Sequence, residues 1–261
     1  MADKPEKQNC ALRLYRFIQR MQQQPPMPLA QVLLNSFGAP EDTDQREQNA
    51  ILARIMVLLF GEVESLVADL RSAGHSEESI QPIVRPFDSL SGGGLASQWA
   101  RHKDAFSASL PVLLFVGETL PDDGVSVTQT ELSDLRRAVE ELRSEVQLSV
   151  LPSEVKRFVF AQLEIISRAI RDYPLAGVKA FKTAVREAIF NAGEDAETIA
   201  EYKDTRVMTS LRQLQERAVK YAKYAIEVSK FVGALDSLYH HLQDAPAVHQ
   251  LTGLVEHVLK K

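Results

Sequence analysis

From Val207 to Leu242 an apolar residue recurs at alternating steps of four and three: Leu211, Leu214, Ala218, Tyr221, Ala225, Val228, Val232, Leu235, Tyr239 and Leu242. That alternation is a heptad seam, the signature of a helix that buries one narrow stripe along its whole length. No charge falls on the seam and no proline interrupts it, and only Gly233 weakens it. A helix over about 205–243 is expected, roughly 55–60 Å long, which exceeds the usual globular helix. A rod of that length reads as a scaffold or an interaction element.

The remaining pattern is also helical. Strand signals are nearly absent, and short apolar runs such as Val112–Val116 are read as helix because their neighbours are. The first helix, about Asn9–Gln23, places Leu14, Phe17, Ile18 and Met21 on one face and Arg13, Arg16 and Arg20 on the adjacent one. Pro25, Pro26 and Pro28 end it. A short helix Leu29–Phe37 follows, stopped by Gly38. Asp44–Ser72 reads as a long helix, apolar nearly all round its axis and so central. The next segment carries Pro82 and Pro86 and is expected to bend or break. Ser97–Ser107 and Pro111–Thr119 read as two short helices. Thr128 with Glu131 is a capping box opening a helix with the seam Leu132, Leu135, Val139, Leu142, Val146. A helix begun by Pro152 is expected to break at Pro174, and another spans Leu175–Asn191. Pro246 ends the long helix, and a last short one covers Ala247–Leu259. The fold class is therefore all-α, a multi-helix bundle of antiparallel helical hairpins with a long C-terminal heptad-patterned helix.

Ser91-Gly92-Gly93-Gly94 is the best linker signal. It predicts an N-terminal helical domain over 1–90, a glycine-rich linker over 91–95 and a C-terminal helical bundle over 96–261.

The 261 residues suffice for a real core. A formal net charge of −5 argues against whole-surface nucleic-acid binding while leaving room for a local basic patch. Cys10 is the only cysteine, so no internal disulfide forms, which fits a reducing compartment. The N-terminus has no apolar signal region. The greasiest stretch, Ile51–Val67, carries Arg54, Glu62 and Glu64, too many charges for a membrane span. A cytoplasmic protein is expected.

The sequence carries none of the usual catalytic signatures of helical enzymes. None of the six histidines has a carboxylate three residues before it, as helical di-iron sites require, and no His-Glu-x-x-His occurs. The chain resembles helical ribonucleases of the HEPN class in composition and helix count. Those use an arginine followed by a histidine after four to six intervening residues, and the three residues between Arg71 and His75 do not fit. His240, His241, His249 and His257 cluster near the C-terminus, but His249 and His257 lie on the order of 12 Å apart along a helix, and no cysteine completes a zinc site. Cys10 has no neighbouring base, Glu62 has apolar neighbours and no evident partner, and no glycine loop has nucleotide-binding spacing. No cofactor, metal or catalytic residue is assigned.

Two basic patches remain as candidate interaction sites. Arg13, Arg16 and Arg20 form a ridge beside an apolar face, fit for a partner helix, an acidic surface or a membrane surface. Arg206, Arg212, Arg217, Lys220, Lys223 and Lys230 lie off the seam of the long helix, diluted by Asp204, Glu216 and Glu227.

Residues Glu131–Gly193, and above all Ala169-Ile170-Arg171-Asp172-Tyr173-Pro174-Leu175-Ala176-Gly177, resemble a helical segment of uncharacterised bacterial proteins linked to mobile or phage-defence gene clusters. The resemblance covers about a quarter of the chain, carries no catalytic motif and transfers no functional residue. It implies an adaptor, immunity or regulatory role in a bacterial operon. The sequence thus favours a non-enzymatic helical interaction module, with a protein partner or a second copy as its ligand. A nucleic-acid binder using the basic face of the long helix is the second reading, and an enzyme with an unrecognised site the third.

Overall fold

The structure is a computed structural model that describes residues 7–40, 43–90, 94–124, 126–194, 199 and 201–223. Among the described residues the chain is all-α, with nine α-helices and no strand. It divides into two compact units: one comprises Glu6–Asp123 together with Pro174–Gly177, the other Gly124–Tyr173 together with Val178 onward.

The first unit holds α1 (Cys10–Gln22), α2 (Leu29–Phe37), α3 (Gln45–Ser72), α4 (Glu77–Asp88) and α5 (Ala100–Thr119). Asn9 opens α1 by accepting from Leu12 N–H, and Asp44 opens α3 by accepting from Glu47 N–H at 2.8 Å. Helix α1 packs against α5, α3 and α2, while α4 packs on α3 and α5. Helices α1 and α5 run antiparallel, since Asn9 reaches Gly117 O and Gln22 reaches Lys103 O. The core gathers Phe17, Ile18, Leu33, Ile55, Leu59, Phe87, Trp99 and Phe106. The Phe106 ring meets Phe87 edge-on at 5.3 Å and Trp99 at 5.7 Å.

Several expectations need correction. Helix α3 is not buried all round: Ile51, Ile55, Leu59, Glu62, Val63, Leu66 and Leu70 form one inward stripe, and Val57 is 72% exposed. Helices α4 and α5 are continuous through Pro82, Pro86 and Pro111. Proline removes one hydrogen bond, to the carbonyl four residues earlier. Pro111 and Ser107, the residue losing that bond, are both exposed, so water can replace it. Because α5 buries Phe106, Leu113 and Val116 in the same core as α1–α4, the division falls at Asp123–Gly124 and not at residues 91–95. Residues 91–93 lie outside the described set. Gly94 opens a 3₁₀ turn, Gly94–Ala96, where an added Cβ would stand 2.0 Å from Ser89 O, so the chain turns back too closely on the end of α4 for any side chain.

The second unit holds α6 (Gln129–Leu148), most of α7 (Ser153–Ala176), α8 (Val178–Glu194) and α9 (Arg206–Lys223). The Thr128–Glu131 capping box forms, and Leu132, Leu135, Val139, Leu142 and Val146 are the buried stripe of α6. Helix α9 packs on α8 and α6. Its seam is buried at Val207, Leu211, Leu214, Ala218 and Tyr221. Gln215 Nε2 donates to Gln162 Oε1 at 3.0 Å, and Gln162 Nε2 donates to Ala188 O at 3.2 Å. Phe181 lies 5.9 Å from Tyr173 and 5.4 Å from Tyr221. The expected continuation of the seam helix to 243, the last short helix and the four C-terminal histidines all lie outside the described residues.

Helix α7 does not break at Pro174 but winds on to Ala176. The break is Gly177, at φ +56°, where a Cβ would also stand 2.8 Å from Arg13 Nη1. Gly177→Ala is therefore expected to destabilise the protein by about 1–3 kcal/mol in urea denaturation. Gly61→Ala, mid-helix with nothing within 4 Å, is expected to be neutral or mildly stabilising. Equal effects at the two sites would contradict the assigned backbone.

Candidate interaction site

Arg13 is not part of an exposed ridge. Its side chain is 2% exposed, and its guanidinium is enclosed by groups from three other parts of the first unit. Nε donates to Glu62 Oε2 at 2.8 Å and to Leu175 O at 3.0 Å. Nη2 lies 2.5 Å from Glu62 Oε2 and 2.6 Å from Asp123 Oδ2. Burial pushes the guanidinium toward its neutral form, but the Glu62 and Asp123 charges outweigh that and hold the proton more firmly than water does. Glu62 thus has the partner the sequence did not show. Beside it, the Cys10 thiol donates to Asp69 Oδ2 at 3.3 Å. Burial, and then Asp69, push that thiol up to about 12, far from a reactive thiolate.

The other two arginines of α1 reach the surface in part. Arg16 Nη2 donates to Lys7 O at 3.0 Å. Arg20 is half-buried, with its guanidinium carbon 5.5 Å from the centre of the Phe17 ring, and burial lowers its pKa from the usual arginine value.

On α9, Arg206, Arg212, Arg217 and Lys220 are exposed and off the seam. Arg206 Nε pairs with Glu145 Oε1 at 2.9 Å and Arg212 Nε with Glu216 Oε1 at 3.3 Å. The Lys220 ammonium stands 6.0 Å from the Tyr221 ring centre. Lys223 ends the described helix, and Lys230 lies beyond it.

Two features escaped sequence reasoning. Ala108, Pro111, Val112 and Phe115 fall at i, i+3, i+4 and i+7 on the outer face of α5, and no charge occurs between Asp104 and Glu118. Phe115 there is 69% exposed. The helix-forming signal of this segment was legible, but which of its apolar residues face outward depends on where α1 and α4 pack. The second feature is a cluster at the end of α4. Ser97 Oγ lies 2.5 Å from His102 Nε2, and Ser89 Oγ lies 3.1 Å from His102 Nδ1. Ser97 also donates to Gly94 O and Ser89 to Pro86 O. The hydroxyls bridge the ring to the two carbonyls, with the tautomer of His102 deciding which hydroxyl donates to it, and the cluster is a clasp between α4, the 3₁₀ turn and α5. Arg71 and His75 do not meet in a site: Arg71 Nε pairs with Glu77 Oε1 at 2.6 Å, and both are exposed. Among the described residues no three His, Cys, Asp or Glu side chains are placed to hold one metal ion, and no helix is long and apolar enough to cross a membrane.

No protein family matches the chain, and no curated protein or solved structure matches it either.

The Cys10 environment gives a direct check. In the folded protein at pH 8 iodoacetamide is expected to leave Cys10 unmodified for hours, and in guanidinium chloride to label it fully. Rapid labelling of the folded protein would show that α1 does not bury its first turn.

Proposed function

We propose that this protein is a non-enzymatic helical interaction module, a bundle of hairpins whose C-terminal seam is covered by a partner helix from another protein or from a second copy of itself. The observation that carries this reading is that the heptad pattern of the sequence outlasts the described part of α9 and the stretch of α8 it lies along. Gln215 lies level with Ala188 through Gln162, and Tyr221 lies level with Phe181, so α9 runs antiparallel to α8. Beyond Phe181 only Val178–Ala180 of α8 remain. The heptad pattern continues through Ala225, Val228, Val232, Leu235, Tyr239 and Leu242. As a helix those residues would add about 30 Å, well past the start of α8. An apolar stripe of that length needs a cover. The uncharged outer face of α5 supports the same class of function.

An adaptor, immunity or regulatory role in a bacterial operon, phage defence included, follows from the resemblance of Glu131–Gly193. A cytoplasmic location suits the single cysteine. A nucleic-acid role is less favoured, because Arg206 and Arg212 already face Glu145 and Glu216, and the chain is acidic overall.

Sedimentation or light scattering tests the reading. The full-length protein is expected to self-associate in a concentration-dependent way. Leu235→Asp is expected to leave monomers with nearly unchanged Tm. If the wild type is monomeric and Leu235→Asp changes neither mass nor Tm, no second copy covers the seam and the self-association form of the reading fails. If the variant stays the same size but loses several kcal/mol of stability, the seam is internal and the reading fails as well. In parallel, binding of a mixed-sequence RNA or DNA duplex is expected to be negligible at physiological salt. Tight, salt-steep binding abolished by Arg217→Glu with Lys220→Glu would favour the nucleic-acid reading instead.

A further inference from the structure

Residues 7–40 contain Lys7, Arg13, Arg16 and Arg20 and not one aspartate or glutamate, in a chain whose formal net charge is −5. The structure answers three of these cations from within. Lys7 donates to Glu118 O at 2.7 Å, Arg13 is locked to Glu62 and Asp123, and Arg16 donates to Lys7 O. Arg20 differs. Its Nε is enclosed and meets no acceptor, and among the described residues no carboxylate pairs with its guanidinium. The guanidinium carbon stands 5.5 Å from the centre of the Phe17 ring, and the two Nη groups are the remaining donors. Its helical neighbours Gln19 and Gln23 are exposed and uncharged.

A half-desolvated cation with no counter-charge costs stability in the free protein. No complement is placed beside it among the described residues, and arginines of this kind anchor protein interfaces once the opposite charge arrives. The number of available charges selects the ligand. Arg13 is neutralised and Arg16 is committed to a carbonyl, so one guanidinium stands ready, in a protein whose overall charge repels polyanions. That suits a single carboxylate, which a guanidinium grips with two parallel hydrogen bonds, better than a polyphosphate, which needs a cluster of cations. We propose that Arg20 is the receptor for an aspartate or glutamate side chain of a partner polypeptide that docks along the outer edge of α1. The proposal rests on the interaction reading but not on the C-terminal seam.

The test follows the Arg20 Nε–Hε resonance of the full-length protein by NMR. Three titrants are compared at matched ionic strength: N-acetyl-glutamic acid amide, inorganic phosphate and sodium chloride. The carboxylate is expected to shift the Arg20 signal saturably and more than chloride does, and to leave the Arg13 signal in place. Arg20→Gln is expected to abolish the effect and, in chloride, to have a Tm equal to or above that of the wild type. A linear response identical to that of chloride would overturn the proposal. A saturable response to phosphate but not to the carboxylate would overturn the assigned ligand. A large fall in Tm for Arg20→Gln would reveal a partner within the chain and overturn the site. The titration is repeated on Leu235→Asp, where the same shift is expected. Its loss there would assign the effect to the seam and overturn an independent site on α1, whereas its persistence beside a failed self-association test would leave Arg20 standing alone.

Discussion

The first unit is organised around one buried charge. A guanidinium removed from water is expensive, and an ion pair recovers that cost only when every remaining donor is met. Arg13 draws partners for its Nε and Nη2 from distant parts of the chain: Glu62 in the middle of α3, Asp123 where the chain leaves the unit, and Leu175 O in the short segment that returns to it. The neighbouring turn follows the same logic. Asn9 accepts from Leu12 N–H and donates to Gly117 O and Pro121 O, so the start of α1 and the end of α5 are fixed together. Cys10 adds its contact with Asp69. A cluster of this kind contributes uniqueness more than net stability, since hydrophobic replacements of the same shape are often as stable. That it specifies the fold here is a hypothesis that follows from its position: other pairings of these helices would leave Arg13 or Glu62 buried alone.

The second unit rests on different forces. Its centre is apolar, with α9 laid on α8 and α6 along the heptad seam. The buried amide of Gln215 donates to that of Gln162, which donates to the Ala188 carbonyl, and this chain pins the register of α7, α8 and α9 without a charge. Tyr173 adds a polar anchor, its hydroxyl accepting from Val127 N–H at 2.6 Å. Around this core the ion pairs are surface pairs, including Arg168 with Glu187 and Arg143 with Glu164, and such pairs contribute little individually.

The sequence made the helices legible because their signals are local. Asp44, the Thr128–Glu131 box, the prolines after α1 and the apolar periods of α6, α7 and α9 act within a few residues of themselves. Prolines inside helices were misread because a lost hydrogen bond is decisive only where water cannot replace it. Pro111 sits on an exposed face and Pro174 in a final turn, so neither ends its helix. The boundary at 91–95 was misread for another reason. Three glycines announce flexibility, but what decides a unit is which core Trp99, Phe106 and Leu113 join, and that is a long-range choice. Arg13 shows the same limit at the candidate site. Its spacing with Arg16 and Arg20 defines a helical face, and nothing local reveals that Glu62, 49 residues away, waits on the other side of it. Arg16 and Arg20 stayed nearer to the sequence reading because both side chains keep part of their surface exposed.

The central claim is that Arg13 and Glu62 act as one unit, and a double-mutant cycle in urea measures this directly. Arg13→Met is expected to cost about 3–5 kcal/mol, because it takes the arginine away from the buried Glu62 carboxylate, and Glu62→Leu less than that, because Asp123 still faces Arg13. The double variant is expected to be far more stable than the sum of the two losses, with a coupling energy of about 2 kcal/mol or more. Two small, additive losses would contradict the account, showing that the arginine is solvated and that the helices find their places without it.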